Sequence, residues 1–185
     1  MEDKDREFLA SFAEKLEKTL VDQCTADELL DGKILEVEEL DEKWRTSAPE
    51  YMVDAVPQIA QYPAAAIAWA CYVGMGAAVL WDKSWGEYKD VEDWYTLMAK
   101  PRGFDCLDEY VREEVLLLKD EAFVNMEKLV GECASRIHNA LLKQQFEPGT
   151  KEAFHGYVAC LHQLYLMGMA MQLNVMGYHM TKMDV

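Results

Sequence analysis

Residues 64–81 read AAAIAWACYVGMGAAVLW, a run of eighteen residues without a charge or a side-chain amide. Small residues recur in it at every fourth position, which stacks them into one flat ridge on a helix: Ala66, Ala70, Gly74 and Ala78. A helix that is apolar on every side belongs either at the centre of a protein or inside a bilayer. The stretch therefore predicts a helix that other parts of the chain, or lipid, must cover.

The membrane alternative has little support in the flanking sequence. The stretch only just reaches the length of a spanning helix, and half of it is Ala or Gly. The charges that follow it, Asp82 and Lys83, are balanced, so no basic cluster sets an orientation in a bilayer. We therefore favour the core helix of a water-soluble protein.

A second nearly all-apolar helix is predicted over residues 151–180, with Thr150 as its cap. Gly168 and Ala170 lie within it and permit a close approach of two backbones. Because the ridge in residues 64–81 is equally small, we expect the two helices to pack against each other there.

Amphipathic patterns predict covering helices near residues 3–24, 48–60 and 105–145. Ser47, followed by an early proline, is typical of a helix start. The pattern of residues 105–145 fits one long helix or two helices that break near Lys119-Asp120.

Residues 33–45 are ambiguous, because they alternate like a strand and also carry one helical stripe; we favour the helix. The sequence as a whole predicts an all-α, single-domain bundle over residues 1–185. It has about six or seven helices, with two nearly all-apolar helices at the centre. Residues 1–4 and 181–185 are the candidate flexible ends.

The charge excludes some partners. The chain has 34 acidic and 18 basic residues among 185, a formal net charge of −16. Nucleic acids and anionic lipid surfaces repel such a chain, so we expect neither nucleic acid nor membrane as a partner. Residues 1–54 hold seventeen acidic and seven basic residues. That segment is either a solvated surface or a docking face for a basic protein.

The five cysteines are odd in number and form no C-x-x-C motif. This pattern predicts reduced thiols in a cytoplasmic protein. The first residues, MEDKDREF, are acidic and lack the apolar region of a signal peptide.

One spacing in the last helix suggests a metal. Glu152 and His155 have the E-x-x-H spacing that di-iron bundles use twice, but here it occurs once. His162 lies two turns further on, about 10 Å along the axis, while His138 belongs to the preceding helix. These four residues are a weak candidate metal site. The alternative is that the histidines contact solvent or buried polar groups, and we predict no cofactor.

An aromatic-rich segment follows the central helix. Its large aromatic rings lie next to Arg102, a basic residue outside any obvious amphipathic face. This combination is typical of a pocket for a planar or anionic ligand. The alternative is a small core that caps the end of the bundle. The candidate ligand-binding residues are Trp81, Trp85, Tyr88, Trp94, Tyr95 and Arg102.

The sequence contains no G-x-S-x-G, P-loop or G-x-G-x-x-G motif. We therefore expect a non-enzymatic intracellular protein that acts by binding. We expect a homodimer, because the apolar helices offer more surface than one thin bundle can hide. The alternative is a small-molecule or metal-binding protein or enzyme, which uses residues 81–104 or His138, His155 and His162.

Overall fold

The structure, a computed structural model, describes residues 3–34 and 37–178. Every regular element in these residues is helical and none is a strand, so the predicted all-α bundle is confirmed. A 3₁₀ turn (Phe104–Cys106) precedes the fifth α-helix, and a π-helical turn (Val111–Val115) follows it. The α-helices are α1 (Asp3–Ala26), α2 (Glu38–Gln58), α3 (Pro63–Tyr88), α4 (Trp94–Ala99), α5 (Leu107–Tyr110), α6 (Asp120–Leu142) and α7 (Lys151–Val175).

Helix α3 is the centre of the bundle. It begins at Pro63, whose missing N–H costs nothing at the first helical position. Between Ala66 and Val79 every residue except Trp69 is buried. By length and composition α3 is apolar enough to cross a membrane, but 72% of its apolar window is covered by the rest of the protein. A non-helical residue, Ser84 (φ −144°), kinks the helix before its last turn.

Helix α7 packs against α3, as predicted, and two glycines bring the backbones close together. A Cβ on Gly74 would lie 2.0 Å from the backbone oxygen of Tyr165. A Cβ on Gly168 would lie 2.0 Å from the backbone oxygen of Cys71. Each glycine therefore lets the backbone of the other helix approach to contact distance. Thr150 caps α7 by accepting a hydrogen bond from the Ala153 N–H.

The predicted carboxyl end of α7 is too long. The helix ends at Val175, and Gly177 follows in the left-handed region with φ +88°. Glycine adopts this conformation readily, and it commonly ends helices. Residues 179 and 180, which the prediction includes in the helix, lie outside the described residues.

The predicted helix start at Ser47 is wrong. Helix α2 begins at Glu38 and continues through Pro49, although that proline deprives a helical carbonyl of its partner. The Ser47 hydroxyl instead accepts hydrogen bonds from the backbone N–H groups of Trp94 (2.9 Å) and Tyr95 (3.4 Å). Ser47 is thus a capping serine, but it caps the first turn of α4 in another part of the chain.

The ambiguous segments are resolved by the backbone. Residues from 38 on are helical, as favoured, whereas residues 33 and 34 are not and residues 35 and 36 lie outside the described part. The 105–145 pattern forms two helical pieces separated near Leu117 and Asp120, which have φ values of 57° and 52°. A left-handed backbone conformation cannot continue a right-handed helix, so these residues separate the two pieces.

Candidate functional site

An open cleft of about 580 Å³ lies between the amino-terminal half of α3 and helix α6. Its floor consists of residues with almost no side chain: Ala64, Ala65 and Ala68 of α3, and Gly131 of α6. A Cβ placed on Gly131 would have no atom within 4 Å. The gap is therefore unfilled because the residues along it are too small to close it.

Two aromatic residues of α3 line this cleft, and of the two only Trp69 keeps exposed surface, because Tyr72 is 1% exposed. Trp69 and Tyr72 lie edge to face, with ring centres 6.0 Å apart. The indole N–H of Trp69 donates a hydrogen bond to the backbone oxygen of Phe104 at 2.8 Å. This bond fixes the indole orientation. The protein's own backbone thus holds the indole in place.

The opposite side of the cleft carries two valines and three charged side chains. Val124, which is 60% exposed, and the buried Val130 belong to α6. Asp108, Glu127 and Lys128 supply the charges.

A second cleft of about 340 Å³ lies on the other side of the Trp69 indole. It extends to Tyr62 after α2 and to Phe104 before α5. Ala65 and Trp69 line both clefts. The indole therefore separates two adjoining depressions on one side of α3.

A buried arginine pairs with both carboxylates that line the cleft. Arg112, in the π-helical turn, is only 2% exposed. Its Nη2 donates to the Asp108 Oδ2 at 2.6 Å, and its Nη1 donates to the Glu127 Oε2 at 3.0 Å. It also donates to the backbone oxygens of Phe123 and Asp108, at 3.2 and 3.3 Å. Because Glu127 and Phe123 belong to α6, Arg112 ties α6 to the turn that follows α5.

The guanidinium of Arg112 is also covered by aromatic rings. Its central carbon lies 3.9 Å from the ring centre of Phe123 and 5.7 Å from that of Tyr72. Aromatic faces stabilise a cation at such distances. The charge of Arg112 is therefore balanced by two carboxylates and two rings, and its role is to hold the cleft in shape.

Burial raises the pKa values of three ionisable side chains on α3 and α7, of which only Tyr72 lines the cleft. Burial raises the pKa of Tyr72 well above its usual value, although the Arg112 charge acts in the opposite direction. Burial also raises the pKa of the Cys71 thiol, and raises that of Cys160 to about 12. These three groups stay protonated near neutral pH, and a protonated thiol is a weak nucleophile.

The structure distributes the six predicted ligand-binding residues among several partners. Trp94 and Tyr95 are buried, and Trp85 packs edge to face on Trp94 at 6.4 Å. The Trp94 indole donates to the backbone oxygen of Tyr88 at 3.0 Å. Three of the six, Trp85, Tyr88 and Trp94, are thus brought together.

The other predicted residues have partners elsewhere. Trp81 lies against Tyr178, with ring centres 5.4 Å apart. Arg102 forms ion pairs with Glu113 and Glu114 at 2.5 and 3.3 Å. The Tyr95 hydroxyl donates a hydrogen bond to Asp54. The base that was expected to face a ligand is therefore already occupied by two carboxylates.

The predicted metal residues are not assembled into a ligand set. His162 Nε2 lies 2.7 Å from the Asp41 Oδ1, and its ring stacks on Trp44 with centres 6.3 Å apart. His155 lies beside Phe154. Over residues 3–34 and 37–178, no group of three or more His, Cys, Asp or Glu side chains is placed to hold a metal ion. Glu152 and His138 are therefore not joined to the two other histidines in such a group.

Sequence reasoning missed the residues that shape the cleft. By periodicity alone Trp69 and Tyr72 belong to an apolar core helix, because periodicity does not reveal where a neighbouring helix leaves a gap. Asp108 and Arg112 did carry a signal, since opposite charges four residues apart form a pair on one helix face. Nothing in the local sequence showed that this pair would be buried.

No protein-family model, no curated protein and no solved structure matches this chain.

Proposed function

We propose that this protein acts by binding rather than by catalysis, and that its principal site is the cleft between α3 and α6. The observation that carries the proposal is the Trp69 indole, which its hydrogen bond to the Phe104 backbone oxygen holds in place beside a row of small residues. The volume of about 580 Å³ lies within the range of small-molecule sites.

The chemistry of the lining favours an uncharged ligand with a flat ring. The carboxylates that line the cleft already pair with Arg112, at 2.6 Å from Asp108 and 3.0 Å from Glu127. Lys128 lies 4.0 Å from Glu132. A charged ligand would have to compete with these pairs, whereas an apolar ring gains contact with the indole and the alanine floor.

The test uses a neutral aromatic probe, naphthalen-2-ylmethanol, followed by calorimetry and by ligand-observed NMR. Gly131→Leu places a side chain in the open space of the cleft and should weaken probe binding at least tenfold. Gly86→Leu is the matched control, because Gly86 is also helical and a Cβ there would have no atom within 4 Å, but it does not line the cleft. A probe that does not bind, or that binds both variants equally, contradicts the proposal.

The homodimer is a further proposal, and exposed apolar side chains support it. Val53 and Val56, three residues apart on α2, are 66% and 42% exposed, and Tyr62 is 61% exposed. Sedimentation at micromolar concentration should give twice the mass of the chain. A clean monomer would rule the dimer out.

A basic protein partner on the acidic surface of residues 1–54 and a cytoplasmic location stay predictions. Any partner recovered by pull-down should dissociate as the ionic strength rises, because exposed charges are screened over about 10 Å at 0.1 M salt. A partner that stays bound at high salt is held by other forces.

A further inference from the structure

A second face of α6 carries a cleft of opposite character. It lies between α1 and α6 and has a volume of about 360 Å³. Three basic side chains line it: Lys15 of α1, Arg136 of α6 and Lys143 just after α6. No acidic residue is among those that line it. We propose that this cleft binds a small organic anion, one that joins a phosphate or carboxylate group to an apolar part.

The three cations are available for a ligand. The ion pairs found among residues 3–34 and 37–178 use other bases, namely Arg45, Arg102, Arg112, Lys128 and His162. Lys15, Arg136 and Lys143 therefore have no carboxylate partner in the described structure. In a chain of net charge −16, three unpaired bases in one depression form a local field that attracts anions.

Neutral donors and an apolar floor complete the cleft. The amides of Asn139 and Gln144 also line it, and the Gln144 Nε2 already donates one of its hydrogens to the backbone oxygen of Ala140 at 3.3 Å. Phe12 and Leu16 form a buried floor, with 2% and 0% of their surface exposed. An ion bound only by charge needs no such floor, so the lining fits an anion with an apolar portion.

The helix dipole opposes this assignment but is too small to reverse it. Lys143 follows the carboxyl end of α6, where the dipole amounts to roughly half a negative charge. Three full positive charges outweigh it. The small cleft and the net negative charge favour a small anion over a long polyanion, because a long polyanion would also meet the acidic remainder of the surface.

The test measures binding of phenyl phosphate by calorimetry at low ionic strength. Inorganic phosphate lacks the apolar part, and benzyl alcohol lacks the charge. Phenyl phosphate should bind at least fivefold more tightly than either, and added salt should weaken it. Equal affinity for phenyl phosphate and benzyl alcohol would overturn the proposal.

Variants locate the site. The double variant Arg136→Gln, Lys143→Gln removes both bases on the α6 side. It should bind phenyl phosphate at least tenfold more weakly, since charge-assisted hydrogen bonds are lost. Lys15→Gln tests the α1 side separately and should weaken it at least threefold. Lys18→Gln is the matched control, because Lys18 is exposed on α1 but does not line the cleft. The replaced side chains are exposed, so circular dichroism should show an unchanged fold.

Two further outcomes would overturn the proposal. One is unchanged affinity in the folded double variant. The other is binding to vesicles that contain phosphatidic acid without binding to phenyl phosphate, which would assign the cations to a lipid surface. Binding of naphthalen-2-ylmethanol to the α3–α6 cleft should not change with these substitutions, because the two clefts share no lining residue, so the two proposals can fail independently.

Discussion

Two glycines set the distance between α3 and α7. A methyl group on Gly74 or Gly168 would overlap a backbone oxygen at 2.0 Å, and neither backbone is free to move away within a packed core. The contact at each glycine therefore leaves no space for one additional carbon atom.

We predict that Gly74→Ala and Gly168→Ala each lower the free energy of unfolding by about 3 kcal/mol, the upper end of the usual cost of overpacking. Urea unfolding measures the change. Gly131→Ala is the control, because it introduces the same methyl group into open space and should raise stability by about 0.5 to 1 kcal/mol. Similar losses at all three positions would show that the close contact is not the cause.

Arg112 is the second residue on which the structure depends. We predict that Arg112→Met lowers the free energy of unfolding by about 3 to 5 kcal/mol, because it leaves the buried Asp108 carboxylate without its partner. Adding Asp108→Asn should restore at least about 1 kcal/mol, since the stranded charge is then removed. Denaturant titration measures both.

The control for Arg112 is an arginine with similar partners on the surface. Arg102 pairs with Glu113 and Glu114, and Arg102→Met should cost far less because water already screens those charges. Equal losses for the two methionine variants would mean that burial of the pair does not matter.

Helix α4 depends on a residue from a distant part of the chain. Ser47 is 1% exposed, and its hydroxyl accepts hydrogen bonds from two N–H groups of the first turn of α4. We predict that Ser47→Ala lowers the free energy of unfolding by about 1 to 2 kcal/mol, because those donors lose their acceptor. Ser135→Ala, at an exposed position within α6, should change it by less than about 0.5 kcal/mol. Equal effects in thermal unfolding would contradict the capping role.

A polar contact joins α2 to α7. Burial raises the pKa of Asp41, but hydrogen bonds and charge from His162 and Arg45 outweigh it, so the pKa lies below its usual value. A carboxyl with a lowered folded pKa stabilises the protein above the unfolded value of about 3.9. That contribution disappears as the pH falls through the folded value.

We therefore predict that Asp41→Asn lowers stability at neutral pH by about 0.5 to 1 kcal/mol. The difference from the natural chain should shrink below about pH 4, where the natural carboxyl takes up its proton. Urea unfolding across this range measures it. Asp22→Asn, at an exposed position on α1, should leave the profile unchanged. A constant difference at all pH values would contradict the linkage.

Helix starts are predictable from sequence where the residues that cause them are neighbours along the chain. Thr150 starts a helix because of its own side-chain chemistry, and this start is predicted correctly. Ser47 has the chemistry of a cap, but its partners are 47 and 48 residues away. The residue type was informative, and the partner depended on tertiary packing.

At the scale of the whole molecule, the core was predictable and the clefts were not. Residues 64–81 carry no charged side chain, so their burial can be predicted from composition without knowing which helices pack against them. The α3–α6 cleft depends on where α6 lies, and Arg112 fixes that through contacts with Phe123 and Glu127. Trp94 and Tyr95, which follow α3, were candidate ligand-binding residues by their sequence, but both are buried.

The five thiols report on the whole fold and on the proposal that the protein does not act through a nucleophile. Cys106 is partly exposed, whereas Cys24, Cys71, Cys133 and Cys160 are buried. A hydrogen bond with Cys24 and burial raise the pKa of Cys133, and the bond lowers that of Cys24. Cys24 is nevertheless 0% exposed, so a disulfide reagent has no access to it.

We predict that a chromogenic disulfide reagent titrates one thiol of the native protein rapidly and all five in concentrated guanidinium chloride. Reactivity requires an accessible thiolate, and only Cys106 among the five combines a free thiol with exposed surface. Cys106→Ser should abolish the rapid phase, and Cys160→Ser should not change it. A second fast thiol in the native protein would reveal an accessible, activated cysteine, and with it a route to nucleophilic chemistry that the buried arrangement of α1, α3, α6 and α7 does not provide.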